Sequence, residues 1–313
     1  MLNFPHFAFF GTDEFAVVVL DTLILAGIRP KLIVTVPDKP QGKYLQMTPP
    51  PVKLWAEKNK ISYLQPVSLK RPDLETSLRS GLDGAELFLV SSYGKLIPPA
   101  IFNLPKYGSL NIHPSLLPKY RGSSPLQTTI IDGVETSGVT ITLIDEELDH
   151  GPILKARNYN LKARLAVGQA KSFTEARDEL AKLGAELFIE VAPKWVAGEI
   201  KAVPQDHAQA TFTKKIKKED GEINLSQGDT LGDKGVAFYR KFLAYQDWPG
   251  IYFFTTRNGK QVRVIITAAH LQYQIQYQGQ SLPLFIIDRV KPEGKKDMSY
   301  ADFQRGFKPP HST

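Results

Sequence analysis

"LNIHPSLLPKYRGSSP", Leu110 to Pro125, is an apolar run that carries an Asn and a His two positions apart and is then broken by prolines. Alternate side chains of a strand share a face, so Asn111 and His113 project together. Pro114 and Pro118 bring no N–H to a ladder and stop it. The two polar groups therefore stand together where a strand ends. In open α/β sheets that is where ligands and chemistry gather.

The flanking segments say what kind of sheet this is. "FAFFG" (7–11), "KLIVTV" (31–36), "ELFLVSS" (86–92), "GSLNIH" (108–113) and "GVTITLID" (138–145) read as strands. Between them lie helical stretches, "DEFAVVVLDTLILAG" (13–27), "SSPLQTTIIDG" (123–133) and "SFTEARDELAKLGAELFIEVAPKWVAG" (172–198). Strands alternating with helices predict a doubly wound, mostly parallel sheet with helices on both faces, a Rossmann-like α/β fold. The segment 37–53, "PDKPQGKYLQMTPPPVK", is rich in Pro and Gly and reads as an irregular loop.

The texture changes after residue 198. "EIKAVPQDHAQATFTKKIKKEDGEINLSQ" (199–227) has little apolar periodicity and reads as a linker with a basic cluster, Lys214 to Lys218. Short aromatic and β-branched runs follow: "WPGIYFFTT", "KQVRVIITAAHLQ", "YQIQYQGQ" and "PLFIIDRV". They predict a small antiparallel β domain, an OB-like barrel. The expected division is 1–192, a catalytic domain, 193–212, a linker, and 213–313, a β domain.

Composition narrows the chemistry. The 313 residues suffice for two cores, and 42% hydrophobic with 23% charged content is ordinary for a globular protein. The chain has no cysteine, which removes disulfides, thiolate metal sites and thiol nucleophiles together. No apolar run approaches the ~20 residues that span a membrane, and "MLNFPHFAFFGT" has no basic n-region, so the expected compartment is the cytoplasm. From Asp206 onward there are 16 Lys and Arg against 11 Asp and Glu, so five of the seven net positive charges lie in the last third. That bias suits either a polyanionic partner or a solvated surface.

Several signatures are missing. No three-glycine dinucleotide fingerprint follows the first strand, and no GxxxxGK[ST] phosphate loop occurs. The six histidines are scattered without metal-ligand spacing, and there is no GxSxG elbow. Neither a metal nor a nucleotide cofactor is expected. What remains is Asn111, His113 and the acidic loop "LIDEELDHGPIL" (143–154), with Asp149 before its Gly-Pro turn. An amide N–H can hold an oxyanion, an imidazole can move a proton near neutral pH, and a carboxylate can orient it. Asn, His and a loop carboxylate at adjacent strand ends suit acyl transfer to an amine. A strand-end histidine with a satisfied backbone bond and a turn-forming Asp fit the same letters.

"NIHPSLLPKYRGSSP" followed by "SGVTITLIDEELDHGPIL" resembles the signature of the folate-dependent formyltransferases, Asn-x-His-x-Ser-Leu-Leu-Pro and a later Leu-Asp-x-Gly turn. Along nearly its whole length the chain is similar to the methionyl-tRNA branch of that family, through "FFGTDEFAV", "SSYGKLIP", "PQD…ATFTKKIKKEDGEIN", "YQDWPGIYF" and "KPEGKKDMS". The resemblance implies a catalytic trio of Asn111, His113 and Asp149. It implies a folate site at Tyr93, Gly94, Leu96, Ile97, Ser115, Leu116, Leu117, Pro118 and Asp145. The implied donor is 10-formyltetrahydrofolate, without a metal, and the implied acceptor is the α-amino group of methionine on initiator tRNA. Lys39, Lys43, Arg121, Lys214, Lys215, Lys217 and Lys218 would meet the tRNA. The enzyme is expected to be a monomer.

Two positions depart from the family pattern. The loop after the second strand usually carries consecutive basic residues, whereas here only Lys39 and Lys43 precede Lys53. His150 is a larger ionisable residue than the x of Leu-Asp-x-Gly leads one to expect. Two rival readings are a formyltransferase acting on a sugar nucleotide or other small amine, and a non-catalytic RNA-binding protein. The first leaves the basic β domain unexplained, and the second leaves the intact trio unexplained.

Overall fold

Strand residues 7–11 and 87–91 are buried on both faces, as interior strands of a parallel sheet must be. The computed structural model describes residues 4–42, 45–70, 84–161, 172–225, 230–257, 259–275 and 281–306. In chain order the elements begin β1 (Phe7–Gly11), α1 (Glu14–Leu25), β2 (Leu32–Val34), β3 (Lys39–Gln41), β4 (Gln46–Thr48), α2 (Pro51–Lys58), β5 (Tyr63–Leu64) and β6 (Leu87–Ser91). They continue with α3 (Pro99–Phe102), β7 (Ser109–His113), β8 (Arg121–Gly122), α4 (Pro125–Asp132), β9 (Thr136–Leu143), β10 (Ile153–Asn160), α5 (Phe173–Val196) and β11 (Phe212–Thr213).

The chain divides into two compact units. The first comprises Met1–Pro125, Ser137–Asn160 and Arg177–Lys214; the second comprises Leu126–Thr136, Leu161–Ala176 and Lys215–Thr313. A seven-stranded sheet in the order β10-β9-β7-β6-β1-β2-β5 organises the first unit. Pairs β1–β2, β1–β6, β2–β5 and β6–β7 are parallel, so the expected doubly wound sheet is present. On one face Ala8, Phe10, Val34, Phe88, Val90 and Tyr93 form a core. On the other, Phe7 meets Phe188 of α5 edge to face, 5.4 Å between ring centroids.

Which way β7 presents its polar residues is set by α5. A Cβ at Gly184 would stand 2.5 Å from Ile112 Cγ2 and 3.3 Å from Val139 Cγ1, so the helix lies on the strands at glycine distance. Ile112 is thereby covered, and by the period of two Asn111 and His113 turn to the opposite face.

One sequence expectation needs correcting. The acidic loop does not leave a strand end next to His113. β9 runs antiparallel to β7, with Leu110 opposite Leu143 and His113 opposite Thr140, so β9 ends level with the beginning of β7. The loop 144–152 then folds back toward Asn111. Segment 37–53 is also more regular than its Pro and Gly content suggests, since β3 and β4 form a hairpin and α2 starts at Pro51. Proline at the first helical turn costs nothing there, because that N–H has no partner inside the helix.

The second unit contains α6 (Gly232–Ala244), β12 (Ile251–Arg257), β13 (Lys260–Ile275), β14 (Ser281–Pro292), β15 (Met298–Ser299) and α7 (Tyr300–Gly306). Its four-stranded antiparallel sheet has the order β12-β13-β14-β15. "YQIQYQGQ" is not a strand of its own: Tyr273 to Ile275 continue β13, and 276–280 lie outside the described residues. The pattern did not predict α6, because two glycines dilute its helical signal. Burial of Tyr239, Phe242 and Leu243 holds it.

Candidate active site

Asn111 and His113 lie on β7, and Asp149 sits in the returning loop with a left-handed backbone, φ 52°. The structure brings the three side chains together. Asn111 Nδ2 donates to Asp149 Oδ1 at 3.3 Å, and His113 Nδ1 lies 3.4 Å from the same oxygen. Asp149 Oδ2 accepts from the backbone N–H of Gly122 at 2.8 Å. On its far side the His113 ring meets the carbonyl of Tyr120, Nε2 to O 3.0 Å.

These partners favour the charged form of the ring. A carbonyl only accepts, so Nε2 of His113 carries a proton; Nδ1 faces a carboxylate, which also only accepts. The imidazolium satisfies both nitrogens, whereas a neutral ring satisfies one. Burial of His113, which is 4% exposed, works against its charge. Asp149 at close range and the Tyr120 carbonyl outweigh that burial and hold the imidazole above its ordinary 6.5. For Asp149 burial again opposes charge, and His113 together with the Gly122 N–H outweighs it, so the carboxyl lies below 3.8. The site is a buried imidazole–carboxylate pair whose surroundings favour the charged form of both groups, beside an amide whose second hydrogen is unspent on Asp149.

Gly122 is an exacting position. Its φ is 116°, and a Cβ there would meet Thr213 Oγ1 at 2.7 Å and Thr213 O at 2.8 Å. The close approach lets β8 pair in parallel with β11 while the Gly122 N–H points at Asp149.

Residues 6–192 match the formyl transferase family. The chain is 40% identical over 260 residues to the methionyl-tRNA formyltransferase of Chloroflexus aurantiacus, covering 83% of this chain and 79% of that protein. With the enzyme of the same name from Chloroflexus aggregans it shares 36% over 322 residues, 97% of this chain and 98% of the other. The chain belongs to the formyl transferase family. Its full-length similarity places it among the methionyl-tRNA formyltransferases. The fold also matches HypX from Aquifex aeolicus, solved with tetrahydrofolic acid, at a TM-score of 0.58 and 17% identity. That match covers 96% of this chain and, at 46%, about half of HypX.

In this formyl transferase the remaining expected residues are distributed unevenly. Tyr93 is a core side chain stacked edge to face on Phe10 at 5.5 Å; burial pushes its phenol up to about 12. Gly94 follows with φ 76°, Leu96 is 78% exposed, and Ile97 packs on the Phe10–Phe88 core. Ser115 is fully buried, and its hydroxyl donates to Lys119 O at 2.7 Å, which closes the turn through Leu116, Leu117 and Pro118. Leu117 N donates to Thr140 Oγ1 at 3.1 Å, and a Cβ at Gly138 would meet Leu116 at 2.4 Å. The Ser-Leu-Leu-Pro run thus anchors the turn after His113 to β9. Asp145 accepts from His150 Nδ1 at 2.7 Å, and the His150 ring stacks on His207 at 4.0 Å.

Of the basic residues, Lys39 is exposed on β3, and Lys43 lies outside the described residues. Lys53 is paired with Asp38 at 2.7 Å. Lys214, Lys215, Lys217 and Lys218 are exposed. Arg121 is not on the surface: it is 3% exposed, and its Nη2 donates to Gln205 Oε1 at 2.7 Å and approaches His207 Nδ1 at 2.8 Å. Reading the sequence missed Gln205 and His207 as parts of the site. Their signal in the sequence is the "PQD" that precedes the basic cluster. Among the described residues there is no His, Cys, Asp and Glu group fit to hold a metal, and no helix is long and apolar enough to cross a membrane.

Proposed function

We propose that Asn111, His113 and Asp149 carry out formyl transfer from 10-formyltetrahydrofolate to the α-amino group of methionine on initiator tRNA. The observation that supports this most is the Asp149 carboxylate, shared by Asn111 and His113 at the end of β7. An amide donor, a carboxylate and a fixed cation suit a substrate whose carbonyl oxygen gains charge and whose nitrogens exchange a proton. Asn111 turns its unspent N–H to the formyl oxygen as negative charge develops there. Asp149 takes a proton from the attacking amine as the new C–N bond forms. It returns that proton to the folate nitrogen as the old C–N bond breaks, so the proton count closes. His113 stays protonated throughout and stabilises the charge. Residues 93–98 and the acidic loop 145–150 are proposed to hold the folate, with exposed Leu96 and half-buried Asp145 at its edges.

The proposal extends to the acceptor. Lys39, Lys43 and the exposed Lys214, Lys215, Lys217 and Lys218 contact tRNA phosphates, and residues 213–313 form the domain that carries most of that footprint. Arg121, spent on Gln205 and His207, is left out of it. One chain supplies both the trio and the basic segment, so we propose that the enzyme acts as a monomer, in the cytoplasm where charged tRNA is made. The test is a radiolabelled formyl-transfer assay offering charged initiator tRNA, charged elongator tRNA and an amino-sugar nucleotide. Only the first is expected to be formylated. Transfer to the sugar instead would refute the acceptor, and no transfer to any would refute the trio.

A further inference from the structure

Asp149 depends on a residue far along the chain. Gln205 Nε2 donates to the carbonyl of Asp149 at 2.9 Å and to that of Gly151 at 2.7 Å. Its Oε1 in turn accepts both Nε and Nη2 of Arg121, at 3.2 and 2.7 Å. Gln205 is itself 5% exposed, so none of these bonds is shared with bulk solvent. A primary amide has two hydrogens and a carbonyl oxygen, and all are used. The Arg121 guanidinium has no carboxylate partner among the described residues. It fixes which end of the Gln205 amide faces the loop, because only the oxygen can accept from it.

From this we infer that Gln205 is a positioning residue for formyl transfer: oriented by Arg121, its amide clamps the Asp149–Gly151 turn and holds the Asp149 carboxylate between Asn111 and His113. The geometry explains how a left-handed residue in a returning loop is kept on station. The carboxylate is fixed from one side by the Gly122 N–H and from the main-chain side by Gln205. The inference rests on the trio reading above.

Two substitutions separate its parts. Gln205→Met keeps the length and removes every hydrogen bond. Gln205→Glu keeps an acceptor for Arg121, and so keeps the chain folded, but cannot donate to the two carbonyls. Both are expected to lower kcat by up to about 100-fold, as misplacing a reacting group by about 1 Å can do, with KM for folate and for charged tRNA unchanged. A second readout is the NMR titration of the His113 ring. In Gln205→Met its midpoint should fall, because a displaced Asp149 no longer offsets the burial. A merely structural role would lower stability and move neither the kcat-to-KM split nor the His113 titration. Asn111→Ala is assayed alongside. If it is slow while both Gln205 variants turn over like the parent, the positioning role alone is overturned. If Asn111→Ala is also fast, the trio falls with it. An unmoved His113 midpoint would likewise overturn the inference.

Discussion

Replacing Asp149 with Asn tests the trio at its shared atom. The new side chain has the same shape, but one of its two ends must be an N–H₂. If its oxygen stays on the Gly122 N–H, the N–H₂ faces the Asn111 Nδ2 donor that now lies 3.3 Å from Oδ1. If it flips, the N–H₂ faces the Gly122 N–H instead. Either way one charge-assisted hydrogen bond, worth about 1.5–3 kcal/mol, becomes a donor facing a donor. The larger effect is on His113. Its imidazolium is held up chiefly by Asp149 against burial, so without the carboxylate burial prevails and the ring drops below its ordinary 6.5. At neutral pH the variant therefore lacks both the proton acceptor and the fixed cation. Loss of a positioned acid or base costs roughly 10²–10⁴ in rate, and the loss should appear in single-turnover transfer with saturating substrates. Asp149→Asn working at close to the parent rate would refute the assignment of Asp149. A slow variant whose His113 still titrates above 6.5 would refute the electrostatic reasoning.

Further outcomes follow from the same geometry. Asn111→Ala should keep the fold and lose about 10²–10³ in kcat, the usual cost of one oxyanion donor, with folate binding by fluorescence unchanged. Stability should carry the pair's signature. His113, raised, contributes fully below 6.5 and loses its contribution as pH rises through its folded value; Asp149, lowered, contributes above 3.8 and loses it as pH falls through its folded value. In Asp149→Asn the carboxylate's contribution is gone and a lowered His113 reverses its sign, so thermal melts should lose the parent's decline above 6.5 and instead fall as pH drops below 6.5. Gly184→Ala should destabilise by about 1–3 kcal/mol, because its methyl meets Ile112; a denaturant midpoint equal to the parent's would contradict the close packing of α5. Replacing Lys214, Lys215, Lys217 and Lys218 with Ala should raise KM for charged tRNA and flatten its salt dependence, by about 0.9 in log–log slope per lost contact. Parallel curves would move the tRNA footprint elsewhere.

The period of two that puts Asn111 and His113 on one face was legible, as were the prolines that end their strand and the apolar runs of β1 and β6. These signals are local, and each needs only neighbours in sequence. The direction of β9 was not legible, because apolar alternation is the same read either way along a strand. The same holds for Arg121. A basic letter beside a glycine suits a phosphate contact, and only Gln205, more than eighty positions later, shows the guanidinium to be internal. Ser115 belongs to the motif that marks the site, yet its hydroxyl is used in the turn, so a motif letter need not be a ligand. His150 departs from the family pattern, and the structure gives it partners of its own in Asp145 and His207.

Gly122 has a consequence for heredity. Its amide serves the carboxylate while its missing side chain makes room for the neighbouring strand, so the position answers to two demands through the main chain alone. Side chains can be exchanged by mutation for others of similar chemistry, but a backbone N–H with empty space behind it has no synonym among the nineteen alternatives. In a library of every single substitution selected for growth, the column at 122 should be blank, including the small and polar replacements, whereas Leu96 should accept many. A lineage carrying this enzyme can change an exposed position such as Leu96 step by step, and it cannot take a first step at that glycine.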